Sequence, residues 1–275
     1  VVFIAQHLKP FLGKNMTFTK EEDRLLSLEL ARCAAKAIAP YFRNAPDIEN
    51  KAAGGHYDPV TEGDKAAERA IRALLEQERP DDAILGEEYG LSEGKSGRTW
   101  VIDPIDGTRA FVSGLPIWGT LVGLRDEDKA LVGTAAQPFV GDFFSGGEGA
   151  FLNDAPISTR TCTSLSGARI ATTDPELFSK AELDAFEAVS ARAPLRRLGL
   201  DWYAYGHLAA GHLDVVIESG LKAHDILALI PIIEAAGGLV TDWRGNSVLE
   251  GGQVLAVGDP KLLDEVLVLL AGAAL

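Results

Sequence analysis

The sequence predicts a layered α/β (α+β) protein whose first half mixes helices with short strands and whose second half alternates strand and helix. Three observations predict it: two helical repeats of apolar residues near the start, short strand-like segments between residues 83 and 153, and β–α alternation from Ser166 onward. The halves are taken as residues 16–165 and 166–275, with a site expected between them. Residues 1–15 precede the only methionine, Met16, and are expected to be a non-native or disordered leader.

Thr19 and Glu22 form a T-x-x-E capping box, and Leu25, Leu28, Ala35, Ile38 and Phe42 recur at helical spacing, so a first helix is expected to run to about Phe42. Asn44 to Asp58 is rich in Gly, Asn, Ala and charge and reads as a loop. Thr61 caps a second helix, with Asp64 in its first turn and Ala67, Ile71, Leu74 and Leu75 on one face, until Pro80 closes it. Strands are expected at 83–86, 99–103, 117–125, 130–137, 142–145 and 149–153. Beyond Ser166, ARIATT reads as a strand and DPELFSKAELDAFEAVSAR as a helix with Pro175 at its first position. LRRLG, a helix from Asp201 to Gly211, the strand LDVVIES, a helix from about Asp225 to Ala236, the strands GLVTDW and QVLAVG, and a helix from Pro260 complete the order.

Composition narrows the function. Hydrophobic residues at 47% and charged residues at 24% match ordinary globular usage and argue against disorder or a fibrous repeat. Lys plus Arg number 26 against 40 Asp plus Glu, a net charge of -14, which disfavours nucleic acid as a partner. An anionic small substrate stays open, because carboxylates that hold Mg²⁺ reverse the local field. The absence of a run of about 18 apolar residues argues against a membrane span. The two cysteines, Cys33 and Cys162, have no metal-type spacing, so a reducing, cytoplasmic setting is expected.

The segment WVIDPIDGTRAF at 100–111 raises the chemical question. Forty acids give roughly six acid-x-x-acid pairs by chance, so spacing alone carries no weight. Context does: Asp103 ends an apolar strand, and Pro104 cannot extend a ladder, so the chain is expected to turn there. Asp103, Asp106 and the Ile105 carbonyl then supply three hard oxygens suited to Mg²⁺, and Gly107 and Thr108 open a turn whose N–H groups suit phosphate. The competing reading is an Asx turn with Gly107 at positive φ. Glu87 in GEEYG is either a ligand beside that strand or part of a solvated loop, and Asp225 in KAHDILAL is either a ligand or a helix cap.

The blocks DPVTEGD (58–64), GEE (86–88), DPIDGT (103–108) and HD with AAGG (224–225, 235–238) occur in an order that resembles the inositol monophosphatase family. The resemblance covers nearly all of the chain after Met16. It implies the layered αβαβα sandwich of the inositol monophosphatase and fructose-1,6-bisphosphatase type, Mg²⁺ dependence with two or three ions, lithium sensitivity and a homodimer. By position it assigns Glu87, Asp103 and the Ile105 carbonyl to one metal and Asp103, Asp106 and Asp225 to a second. Asp58 falls in the outer shell or on a third ion, Glu87 and Thr108 orient the attacking water, and the Gly107 and Thr108 N–H groups hold phosphate. The reaction implied is in-line hydrolysis of a phosphate monoester without a phosphoenzyme. His224 departs from the pattern, since many relatives carry Trp before the aspartate.

Two stretches, RAFVSGLPIWGTLVGL (109–124) and LGLDWYAYGHLAAGHLDVVIESGLKAHD (198–225), resemble the histidinol-phosphate phosphatase branch. Within the second, Gly199, Asp201 and Glu218 are the candidate substrate contacts, with acidic Asp201 where inositol-specific relatives have a small residue. Histidinol phosphate carries an ammonium and an imidazole that carboxylates can bind. The alternatives are a helix N-cap for Asp201 and an exposed strand end for Glu218. Trp118, Trp202, Tyr203 and Tyr205 either stack on imidazole or fill the core, and His207 and His212 read as packing or surface residues. The expected activity is hydrolysis of L-histidinol phosphate; an inositol-1-phosphate or broader sugar or nucleotide phosphatase is the enzyme alternative. A regulatory or scaffolding protein retaining the fold is the alternative of another class.

Overall fold

The computed structural model describes residues 18–44, 48–50 and 59–275; the leader expected over 1–15 and Asp58 lie outside them. Helix α1 (Lys20–Ile38) opens with the expected Thr19–Glu22 box. It stops four residues before Phe42, because Pro40 disfavours helix in the preceding residue and cannot donate to the ladder. Part of the expected 44–58 loop is strand β1 (Ile48–Asn50), antiparallel to β2 (Pro59–Thr61). Helix α2 (Glu62–Glu78) follows, and Thr61 and Asp64 cap it reciprocally.

An eight-stranded sheet then forms from β3 (Ala83–Gly86), β4 (Gly90–Ser92), β5 (Thr99–Asp106), β6 (Gly119–Arg125), β7 (Ala130–Gln137), β8 (Asp142–Gly146), β9 (Ala150–Leu152) and β10 (Ala155–Pro156), with the short α3 (Thr108–Val112) after β5. Its order is β10-β9-β8-β7-β6-β5-β3-β4. Every neighbouring pair is antiparallel except β3–β5. The turn expected at Pro104 does not form: β5 continues to Asp106. The missing donor is absorbed by a register shift against β6 between Asp103 and Asp106.

The second sheet has the order β12-β11-β13-β15-β14. It comprises β11 (Arg169–Thr172), β12 (Leu195–Leu198), β13 (Val215–Lys222), β14 (Leu239–Thr241) and β15 (Gly251–Val257). The helices between them are α4 (Lys180–Ser190), α5 (Trp202–Ala209), α6 (Ala223–Ile226), α7 (Leu229–Ala235) and α8 (Leu263–Leu270). Three expected helices are broken. Pro175 opens a separate 3₁₀ turn, and Ser179 starts α4 with its own capping box with Glu182. The helix expected from Asp225 begins at Ala223 and splits, and Pro231 sits in the first turn of α7, where a helix needs no donor. Pro260 likewise opens a 3₁₀ turn ahead of α8.

Period-two alternation sorts each strand's residues onto two faces. Val215 and Ile217 pack outward with Phe186 of α4 and Val266 and Leu270 of α8, whereas Val216 turns inward with α5 and α7. On the first sheet, Leu121 and Ala135 face the same inner layer, and Val122, Leu124 and Ala136 face α1 and α2. Five layers result, αβαβα, with α5, α6 and α7 in the middle. Glycines let the middle layer sit close: a Cβ at Gly133 would lie 1.9 Å from the Ala228 carbonyl oxygen, and one at Gly146 2.3 Å from Ile232 Cα. No described helix is long and apolar enough to cross a membrane.

Candidate functional site

The site forms where the two sheets meet across the middle layer. Asp103 and Asp106 come from the register shift of β5, Glu87 from the turn after β3, and His224 and Asp225 from α6. Ligand atoms of Asp103, Asp106 and Asp225 all lie within 4.8 Å of one another, as do those of Glu87, Asp103 and His224. Asp103 belongs to both groups.

Each carboxylate is placed by backbone or by a buried partner. The Glu87 N–H donates to the Ile102 carbonyl at 3.1 Å. The next two N–H groups, of Glu88 and Tyr89, donate to Glu68 of α2 at 2.7 and 3.2 Å, and Arg72 pairs with the same carboxylate at 2.7 Å. Glu68 is fully buried, and Gly86 is required beside it, since a Cβ there would lie 1.9 Å from Glu68 Oε1. Asp106 accepts the Trp202 N–H at the start of α5 at 3.0 Å. Asp225 accepts the Lys222 N–H at 2.7 Å from the third position of α6, so it is not the N-cap expected as an alternative to ligation, and its return bond to the cap residue coexists with membership of the cluster. The Ile105 carbonyl accepts the Thr108 hydroxyl at 2.9 Å.

Burial raises the Asp103 and Asp106 carboxyls well above their usual range, reinforced by Glu87 beside Asp103 and by Asp201 beside Asp106. Burial also raises Asp225, opposed by His224. Behind them, burial pushes Asp64 up to about 7 against its bonds from Thr61. Asp103 is 2% exposed, and its Oδ1 has no hydrogen-bond partner among the described residues. Converging, like-charged carboxylates, one of them with an unsatisfied buried oxygen, are the donor set that a hard divalent cation such as Mg²⁺ satisfies, so the residues present fit that ion.

A cleft of about 340 Å³ adjoins this cluster, lined by Asp106, Asp201, Trp202, Tyr205, Glu218 and Asp225 among others. Asp201 precedes α5 but makes no capping bond; it holds φ 49° and ψ -143°, a conformation uncommon for a residue with a side chain. Gly107 has φ 79°, and a Cβ there would lie 3.1 Å from Asp201 Oδ2, so the glycine gives the carboxylate its room. Burial raises Asp201 to about 6, with Arg109 opposing and Asp174 adding to the shift. Glu218 is not an exposed strand end: it is 3% exposed, its Oε1 accepts the Thr173 N–H and hydroxyl at 2.6 and 2.9 Å, and its Oε2 accepts the Thr172 hydroxyl at 3.2 Å. Burial pushes it up to about 8.

Gly199 does not line the cleft; at φ 70° its N–H bonds the Thr173 carbonyl at 2.8 Å and ties β12 to that wall. Of the aromatics, Trp202 and Tyr205 reach the cleft. Trp118 belongs to the outer core with Phe42 and Phe111, and Tyr203 donates to Asp142 and packs on His207, 4.4 Å between ring centroids. The sequence reading missed Glu68, Thr173 and the approach of His224. Glu68 and Thr173 act on residues distant in the chain, and only His224, the histidine of HD where many relatives carry Trp, gave a signal.

Residues 20–272 match the sequence profile of the Inositol monophosphatase family. The "Bifunctional phosphatase IMPL2, chloroplastic" of Arabidopsis thaliana is 40% identical over 262 residues, covering 90% of this chain and 75% of that one. A "Histidinol-phosphatase" of Chlorobaculum parvum is 34% identical over 234 residues, covering 83% and 89%. A solved inositol monophosphatase from Zymomonas mobilis superposes with TM-score 0.83 at 39% identity, covering 93% of this chain and 100% of that one.

Proposed function

Because the chain belongs to the inositol monophosphatase family, whose members are Mg²⁺-dependent phosphoric monoester hydrolases, we propose that its substrate is L-histidinol phosphate, cleaved to L-histidinol and phosphate. The observation that carries this reading is Asp201, a carboxylate in the cleft wall beside the carboxylate cluster, held in an uncommon backbone conformation against Gly107. A neutral polyol does not need a charge there; an ammonium does. Asp201, raised only to about 6 with Arg109 opposing the shift, ionises more readily than Glu218, which at about 8 and committed to Thr172 and Thr173 serves as a wall brace rather than as the reader of the amine.

In this reading Glu87, Asp103 and the Ile105 carbonyl hold one Mg²⁺, and Asp103, Asp106 and Asp225 hold a second. Bound there, the ions neutralise the cluster and supply Lewis acidity to the phosphoryl oxygens and the attacking water. The protein's own groups do the rest. Thr108 commits its hydroxyl proton to Ile105, so its oxygen offers lone pairs that orient a water, and Glu87 accepts that water's proton. The Gly107 and Thr108 N–H groups, at the start of α3 and outside its ladder, donate to the phosphate. Asp201 anchors the far end of the ester and aligns it for displacement.

Phosphate release from L-histidinol phosphate and from inositol 1-phosphate, compared with Mg²⁺ and with EDTA, tests the proposal. Histidinol phosphate should be strongly preferred and EDTA should abolish release. Asp201→Asn should lower kcat/KM for histidinol phosphate by about 10–100-fold, consistent with loss of a charged hydrogen bond, and spare the inositol ester. Equal losses on both esters would remove Asp201 as the reader of the amine, and release from inositol 1-phosphate at a comparable or higher rate would favour the inositol reading, which the resemblance to the Zymomonas mobilis structure supports. The same proposal includes inhibition by Li⁺ and a homodimer, checked by titrating Li⁺ into the assay and by sedimentation.

A further inference from the structure

His224 is the one member of the cluster that the metal assignment above leaves unused. Its imidazole is mostly buried, with a side chain 13% exposed, and its Nε2 lies 3.5 Å from Asp225 Oδ1. The short helix α6 fixes its direction, because the Lys222–Asp225 capping bond and the buried Ala223 pin both sides of the residue. One nitrogen of His224 and one oxygen each from Glu87 and Asp103 lie within 4.8 Å of one another, so small side-chain adjustments bring all three onto a shared ion. Asp103, buried and with Oδ1 lacking a hydrogen-bond partner among the described residues, is aimed into both groups of ligands.

The two groups differ in chemistry. Asp103, Asp106 and Asp225 offer oxygen only, which suits Mg²⁺. Glu87, Asp103 and His224 offer two oxygens and an imidazole nitrogen, a donor that first-row transition ions accept more readily than Mg²⁺ does. We infer that His224 is a further, nitrogen ligand to the ion held by Glu87, Asp103 and the Ile105 carbonyl, so that this position takes first-row divalent transition ions as well as Mg²⁺, with Mn²⁺ as their paramagnetic probe, alongside the all-carboxylate Mg²⁺ group that shares Asp103. The Asp225 carboxylate lies 3.5 Å from the imidazole Nε2, a charge contact without a hydrogen bond. The inference rests on the proposed role of Glu87 and Asp103 as ligands and adds that one ion is held through nitrogen.

Electron spin-echo spectroscopy of the purified, metal-stripped protein reloaded with Mn²⁺ gives a direct reading. Modulation from a coordinated ¹⁴N is expected in the unmodified protein and should vanish in His224→Phe. Calorimetric titrations should show Mn²⁺ binding weakened about tenfold or more in that variant, with Mg²⁺ binding changed less than about threefold. Absence of ¹⁴N modulation in the unmodified protein overturns the inference and needs no variant to fold. Equal Mn²⁺ affinity in folded His224→Phe overturns it as well. Asp103→Asn separates the two readings: it should abolish both Mg²⁺ and Mn²⁺ binding, and if it alters neither, the metal centre itself is misassigned.

Discussion

Asp103 shows how a functional group is held at a cost to the fold. Its burial among Glu87, Asp106 and Asp225 opposes ionisation, so Asp103→Asn should raise the urea midpoint of unfolding measured in EDTA. The same variant should lower hydrolysis by about a hundredfold or more, beyond what loss of an outer partner of a metal ligand costs. Glu68 is such an outer partner. Glu68→Gln should weaken Mg²⁺ by about 10–100-fold in calorimetry, because it loses one acceptor for the Glu88 and Tyr89 N–H groups that place Glu87. Glu218 sets a pH dependence. Its folded pKa of about 8 exceeds the ordinary 4.5, so the folded state binds more protons across that interval. Its contribution therefore opposes stability as pH rises from about 4.5 to about 8, by on the order of 5 kcal/mol at most, and levels off above that. Urea unfolding in EDTA at several pH values should show this slope, and Glu218→Gln should flatten it. Asp103, Asp106, Glu87, Asp201 and Asp225 were legible because short motifs carry them. Glu68 was not, since α2 meets the site only through the tertiary fold, and His224 was legible only as a departure within its motif, with no sign that it approaches Glu87 and Asp103.

Local signals located most helices and strands and failed where a break has no composition of its own. The boxes at Thr19 and Thr61 are written in three or four residues and were found. The split between α6 and α7 was not, because Ile226, Leu229 and Ile233 keep helical spacing across it and all three are buried. Pro104 misled for the opposite reason: proline normally stops a strand, yet a register shift carried β5 through it. The strands β4 and β10, at three and two residues, fall below any periodic signal. Sheet-to-helix spacing was also unreadable, since a glycine's need for a bare backbone depends on what crosses it. Gly133→Ala should cost about 1–3 kcal/mol by urea unfolding, because its methyl group meets the Ala228 carbonyl. Gly272→Ala, where an added methyl meets nothing within 4 Å, should change stability by less than about 0.5 kcal/mol.

The αβαβα layering was available through the family resemblance, while the residues themselves announced only two halves of different pattern. What binds the halves is a shared inner core in which Leu121, Phe144 and Ala135 of the first sheet meet α5 and α7, and those helices meet Val216, Val254 and Ala256 of the second. Cation binding spans the same junction, so it should stabilise both halves together. Mg²⁺ at about a hundred times its Kd should add about 2.7 kcal/mol to the unfolding free energy, removable by EDTA. Scanning calorimetry should show a single transition moving with Mg²⁺ rather than one half moving alone. The distribution of ligands along the chain has a consequence for biosynthesis. Glu87, Asp103 and Asp106 leave the ribosome well before Asp201, His224 and Asp225 are made. A nascent chain halted in between carries an acidic pocket with one wall missing and cannot close around an ion, so cation capture marks the moment at which translation has delivered the whole catalytic unit.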